Sequence, residues 1–280
     1  MRRKGTVAVG IGVAAAIVAC GLFPDVGDLG GAEDASDAAV PVDAGVETGS
    51  EAAACKGTGG PTPVDVGAFC IDSTEVTNAQ YAAFLASQPD ASLFPPSCTG
   101  WKTTFKQSQP PPLGSDDYPA VWLDWCDAYA FCAWAGKRLC GRIGGGPLAP
   151  GGMNDIAQDE WYVACSNGGA YVYPYGGAFD ASACNGPERD AGSVLPPTSV
   201  PGCTGGFPGL VEMVGNADEW IDSCQTSTTG PEAGADLCER RSGSFEDPDG
   251  STQTCAFSRP GPRSKEDDDI GFRCCSDLAP

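Results

Sequence analysis

The residues best suited to hold a hard cation lie together in Gly215-Asn216-Ala217-Asp218-Glu219-Trp220. Gly215 and Asn216 tolerate the positive φ of a tight loop, and Asp218 and Glu219 are carboxylate donors of the kind Ca²⁺ selects. Trp220 is large enough to anchor such a loop on a core. The chain also has 15 cysteines and no histidine. The missing imidazole excludes a Ser-His-Asp or Cys-His nucleophile. With no Cys-x-x-Cys pair either, zinc-finger chemistry is unsupported.

The elements that must position these residues begin after an export signal. Arg2, Arg3 and Lys4 precede an apolar run, Thr6–Ala19, too short to span a bilayer. It closes in Ile17-Val18-Ala19-Cys20, which reads as a bacterial lipobox with cleavage before Cys20 and acylation of that residue. Residues 1–19 are then a lipoprotein signal peptide, and the lipid on Cys20 ties the protein to a membrane of the cell envelope. Loss of the three basic residues takes the formal charge from −21 to −24. So acidic a protein repels nucleic acid and anionic lipid, and its partners are neutral, cationic or bridged by a divalent metal. Fourteen cysteines remain in an exported chain, an even number that predicts a disulfide framework.

Residues 20–54 are acidic and rich in Ala and Gly, with Phe23 the lone aromatic. Such a stretch cannot bury enough apolar surface to order itself and reads as a tether. The folded domain is expected over 55–280. Ala68–Asp72 has the pattern of a short strand. Thr77-Asn78-Ala79-Gln80 has the form of a capping box, followed by Tyr81, Phe84 and Leu85 at helical spacing, which predicts a helix over about 78–86. Gln88–Gly114 is a Pro- and Ser-rich loop for Cys98 and Trp101 to pin. Tyr118–Leu123 is strand-like, and Asp124 caps a second helix that Gly136 ends. Asp159–Cys165 fits a helix or a strand, and short apolar pieces follow Val211. Two early helices with later short strands predict an α+β domain with long loops.

Seven segments, in order, resemble one family, the formylglycine-generating enzyme or sulfatase-modifying factor domain, whose fold is a variant of the C-type lectin fold. Glu75-Val76-Thr77-Asn78 with Tyr81 and Phe84 resembles its opening signature. Tyr118-Pro119-Ala120-Val121-Trp122-Leu123-Asp124-Trp125, running on to Lys137-Arg138-Leu139, resembles the next. Asp159-Glu160-Trp161, Tyr173-Pro174-Tyr175-Gly176, Gly209–Trp220, Arg241–Phe245 and Gly271-Phe272-Arg273-Cys274 complete the set. The resemblance implies calcium at Asn216, Asp218 and Glu219, with a second, weaker site around Asn185.

It also implies copper held by two cysteines five residues apart, which oxidise a substrate cysteine. Counting back from Gly271 puts Cys255 at the second of these positions and Gly250 at the first. One thiolate does not make the linear two-sulfur site that Cu(I) prefers. The reading favoured is therefore a non-catalytic binding or structural lipoprotein with an unidentified protein, peptide or glycan ligand. The alternative is a formylglycine-generating oxidoreductase in which a non-local cysteine joins Cys255 on copper.

Overall fold

The computed structural model describes residues 54–226 and 234–279. The expected signal segment, Cys20 and nearly all of the expected tether lie outside the described residues. The chain enters as a hairpin of β1 (Pro63–Asp65) and β2 (Cys70–Asp72), with Gly67 N donating to Asp65 Oδ1 at 2.7 Å in the turn. Helix α1 (Asn78–Ala86) follows, and its capping box forms as the sequence predicts. Gln80 N donates to Thr77 Oγ1 at 3.4 Å, while Thr77 N donates to Gln80 Oε1 at 2.9 Å. The helix sets Tyr81 and Phe84 against Phe131, with ring centroids 5.9 and 5.6 Å from it.

The expected strand over Tyr118–Leu123 does not form; the segment makes only a single bridge, Thr77 to Pro119. Pro119 has no N–H to give a ladder, and Trp122 sits at φ +60°, which breaks an extended run. Asp124 caps α2 (Trp125–Trp134), accepting from Asp127 N at 3.0 Å, and Gly136 leaves the helix at φ +70°. After β3 (Arg138–Leu139), the segment that fitted either state is helix α3 (Glu160–Ser166), capped by Asp159. The remaining strands are β4 (Asp218–Gln225), β5 (Leu237–Arg241), β6 (Ser258–Pro262), β7 (Ile270–Phe272) and β8 (Cys274–Ser276).

The strands make two four-stranded sheets. One is antiparallel in the order β1-β2-β8-β3, and the other runs β6-β5-β4-β7 with only β4 and β7 parallel. Phe272 on β7 meets Phe131 edge-on at 5.4 Å, which packs the second sheet on α2. Trp220 on β4 lies in that same core and donates Nε1 to Leu123 O at 3.1 Å. No helix among the described residues is long and apolar enough to cross a membrane.

Loops of this length need covalent ties, and all 14 cysteines from Cys55 onward form them. Cys98 pins the Pro-rich loop, as the sequence predicts, and its partner is Cys126 on α2. Cys274 and Cys275 bond separately, because adjacent residues of a strand point to opposite faces. Cys274 reaches Cys132 on α2, and Cys275 reaches Cys140 beyond β3. Cys132–Cys274 closes 142 residues of sequence separation. Replacing both cysteines by alanine is expected to cost about 2–5 kcal/mol, read as a lower urea midpoint; an unchanged midpoint would remove this bridge from the account of stability.

Candidate functional site

The Gly215–Trp220 segment is buried rather than displayed. Gly215 at φ +73° and Asn216 at φ +60° make the turn into β4. A Cβ on Gly215 would stand 2.8 Å from Asn185 O, so only glycine fits where the two backbones cross. Asn216 N donates to that same carbonyl at 2.7 Å. The Asn216 side chain is fully used: Oδ1 accepts from Asn185 Nδ2 at 2.9 Å and from Leu195 N at 2.8 Å, and Nδ2 donates to Glu75 Oε1 at 2.8 Å and Leu195 O at 3.1 Å.

Asp218 and Glu219 are neighbours on β4 and so face opposite ways. Asp218 accepts from Arg240 Nη1 at 3.1 Å and from Arg259 Nη2 at 3.0 Å. Glu219 accepts from Trp161 Nε1 at 2.7 Å and from Arg273 through both its Nε, at 2.8 Å, and its Nη2, at 2.7 Å. Asp218 and Glu219 of the expected first calcium site therefore face apart, while Asn185, expected at a second site, meets Asn216. Both acids are neutralised by guanidinium groups.

Arg273 is the hub that sequence reasoning left without a role. It is fully buried, and besides Glu219 it donates to Asp72 O at 3.2 Å, Val211 O at 3.1 Å and Glu212 O at 2.7 Å. A planar five-donor fork suits such a set, where a single ammonium would not. Asp72 adds a neighbouring buried pair with Lys137 and accepts from Cys274 N at 3.0 Å. Beside this hub, buried oxygens stay unpaired: both carboxylate oxygens of Glu212, Oε2 of Glu75 and Oδ1 of Asn185. Burial, reinforced by the charge of Glu75, pushes the Glu212 carboxyl up to about 9. Burial likewise raises Glu75 to about 7, against the opposing pull of Arg273.

Burial thus holds a proton on Glu212 and favours one on Glu75 near neutral pH, and sequence reasoning missed both residues. Glu75 stands in the Glu-Val-Thr-Asn segment and Glu212 in the Gly209–Trp220 segment, so the residues were in view. Their convergence was not, since Glu212 turns inward from φ +52°. These unpartnered buried oxygens are hard donors of the kind a Ca²⁺-type cation takes. The acid group Asp124, Asp127 and Glu266 is different, because Lys102 Nζ already lies 2.6 Å from Asp124 and from Asp127.

The copper expectation meets a direct correction. Cys255 is buried and bonded to Cys165 on α3, so it presents no thiolate. At the partner position, a Cβ on Gly250 would stand 2.2 Å from Phe179 Cζ, and Gly250 N donates to Glu188 Oε1 at 2.9 Å. Among the described residues no cysteine is free.

Fold and site together define a disulfide-stapled α+β domain, organised on an arginine-bridged acid core. The chain belongs to the sulfatase-modifying factor enzyme 1-like domain family, whose model matches residues 29–278. It is 27% identical over 275 residues to mouse (Mus musculus) inactive C-alpha-formylglycine-generating enzyme 2, covering 79% of each chain. It is 26% identical over 289 residues to the bovine (Bos taurus) formylglycine-generating enzyme, covering 86% of this chain and 75% of that one. Among solved structures, PvdO from Pseudomonas aeruginosa has the same fold at a TM-score of 0.50 and 20% identity, over 75% of this chain and 80% of that chain.

Proposed function

We propose that this protein is an exported, lipid-anchored, non-catalytic member of its family, with a binding or structural role in the cell envelope. The observation that carries this reading is the Cys165–Cys255 disulfide. A Cu(I) site needs two thiolates, and the cysteine assigned to it from sequence is bonded to α3. Its partner position holds a glycine sealed under the Phe179 ring. Similarity to a mouse protein named as inactive supports the same conclusion.

The test is incubation with Cu(I) and a Cys-x-Pro-x-Arg peptide, the substrate type that the resemblance implies. No aldehyde should form, and aldehyde formation by the unaltered protein would overturn the proposal. Gly250→Cys should not create activity. It should instead lower stability by about 1–3 kcal/mol, because the added atoms meet Phe179 and Glu188.

A structural divalent cation belongs to the same proposal. Glu212 and Glu75, with Asn185 Oδ1, are the residues that would hold calcium. The bound ion would supply the positive charge that the unpaired carboxylates lack. Attachment to the membrane would come from lipid on Cys20, since a chain of charge −21 gains nothing from anionic headgroups. Full-length protein should then partition into a detergent phase, and Cys20→Ser should move it to the aqueous phase; aqueous partition of the unaltered protein would remove the anchor.

A further inference from the structure

A cavity of about 470 Å³ opens beside the start of α1, and none of the residues discussed as cation or copper ligands lines it. Its size lies in the range of about 300–1,000 Å³ usual for small-molecule sites. Three partly buried aromatics, Tyr118, Trp122 and Phe245, form its walls together with Val194, packed on a small apolar cluster of their own. The polar groups of its floor are engaged with each other. Asn78 Nδ2 donates to Ser115 O at 2.9 Å, and Gln107 Nε2 donates to Asn78 Oδ1 at 2.9 Å and to Val121 O at 3.0 Å. The floor therefore asks little of a ligand, and recognition falls to the walls and to whatever charge they carry.

Asp268 is the one charged residue lining the cavity. Its neighbours are accounted for: Asp267 pairs with Lys265 at 2.7 Å, and Asp269 accepts from Ser244 Oγ at 2.9 Å. No cation among the described residues pairs with the Asp268 carboxylate. The Trp122 backbone is held by two neighbouring segments. Its N donates to Asp267 O, and its O accepts from Ser108 N, each at 2.9 Å. Trp122 does this at φ +60°, a conformation that glycine takes freely and a bulky side chain does not. That strained backbone holds an indole in the lining that also carries Asp268.

The geometry points to a site for an organic cation on an apolar body, an amine of small-molecule size, with its charge on Asp268 and its body against Trp122, Tyr118 and Phe245. Aromatic faces and one carboxylate are the two attractions a desolvated ammonium finds in proteins. The net charge of −21 would draw such a ligand and repel its anionic analogues. This inference rests on the binding role proposed above and supplies its ligand class.

The test titrates the mature, disulfide-intact protein by calorimetry with three probes of one shape: 2-phenylethylamine, 2-phenylethanol and phenylacetate. The amine should bind about tenfold or more tightly than the alcohol, and the acid should not bind. Asp268→Asn should bring amine and alcohol to the same affinity. Trp122→Gly should abolish binding of both, with a lower melting temperature from the packing lost at the apolar cluster, while Asp268→Asn tests the charge without touching that packing. Equal binding of amine and alcohol to the unaltered protein, no effect of Asp268→Asn, or no saturation by any probe at about 10 mM would overturn the inference. Each of these results leaves the copper and thiol measurements unchanged, so failure here is distinct from failure of the non-catalytic reading.

Discussion

Arg273→Ala should be the most damaging single substitution in the domain, at a cost of about 3–5 kcal/mol. Arg273 is fully buried and bridges Glu219 to the carbonyls of Asp72, Val211 and Glu212, so it joins β2, β4 and the Gly209–Asn216 loop. Its removal leaves the buried Glu219 carboxylate without its paired guanidinium, and strands carbonyl acceptors as well. Typical domains have only about 5–15 kcal/mol in hand, so a large share of stability goes with this one side chain. Arg273→Lys keeps the charge but offers a single point donor where a fork is used, and most of the loss should remain. Denaturant unfolding at neutral pH measures both; a midpoint within error of the unaltered protein for Arg273→Ala would show that the hub contributes little.

The second large effect is a dependence on pH and calcium that has an unusual sign for acidic groups. Glu212 at about 9 and Glu75 at about 7 titrate in the folded protein well above an unfolded glutamate, near 4.5. The folded state therefore keeps protons that the unfolded state has released, and stability falls as pH rises. The contribution is complete below about pH 4.5 and is lost progressively up to 7 for Glu75 and 9 for Glu212. Each tenfold difference in proton affinity between the folded and unfolded states is worth about 1.4 kcal/mol, so a cation-free protein should lose stability steadily between about pH 5 and pH 9. Calcium binds the deprotonated carboxylates, so it should raise the melting temperature near about pH 8–9 and have little effect near about pH 5. Glu212→Gln should make the fall in stability above about pH 7 shallower and remove the calcium response together. A chelator that lowers the melting temperature equally at the two ends of this range, or a cation-free protein that grows more stable as pH rises, would contradict this.

How much of this was legible in the sequence depended on whether a signal was local. The capping box of α1, the Asp124 cap of α2 and the Gly136 stop are set by residues within a few positions of one another, and each stands where the pattern placed it. Disulfide formation was legible from an even cysteine count in a chain that opens like an export signal, but the pairing was not. Cys132 and Cys274 are brought together only by the packing of α2 on the first sheet. The strand expected at Tyr118–Leu123 failed because its apolar alternation says nothing of the inverted backbone at Trp122.

The site shows the same division. The Gly215-Asn216 turn was readable, because those residue types tolerate φ > 0. Which way Asp218 and Glu219 point, and that arginines from β5, β6 and the β7–β8 junction would meet them, depends on contacts 22 to 54 residues apart in sequence. The unpaired carboxylates became visible only once those arginines had been assigned to other acids. Carboxylates in a motif read as ligands by default, and a buried guanidinium partner that excludes a metal leaves no nearby trace in the chain.

The cysteine at the expected copper position has no free thiol, and a thiol count with disulfide mapping on the mature protein tests this most directly. Alkylation without reductant followed by mass spectrometry should find no labelled cysteine in the domain and a peptide joining Cys165 to Cys255. The unreduced protein should then bind no Cu(I). A labelled Cys255, or Cys255 that opens under mild reductant and takes up Cu(I) with a second thiolate, would contradict the account and restore the oxidoreductase reading.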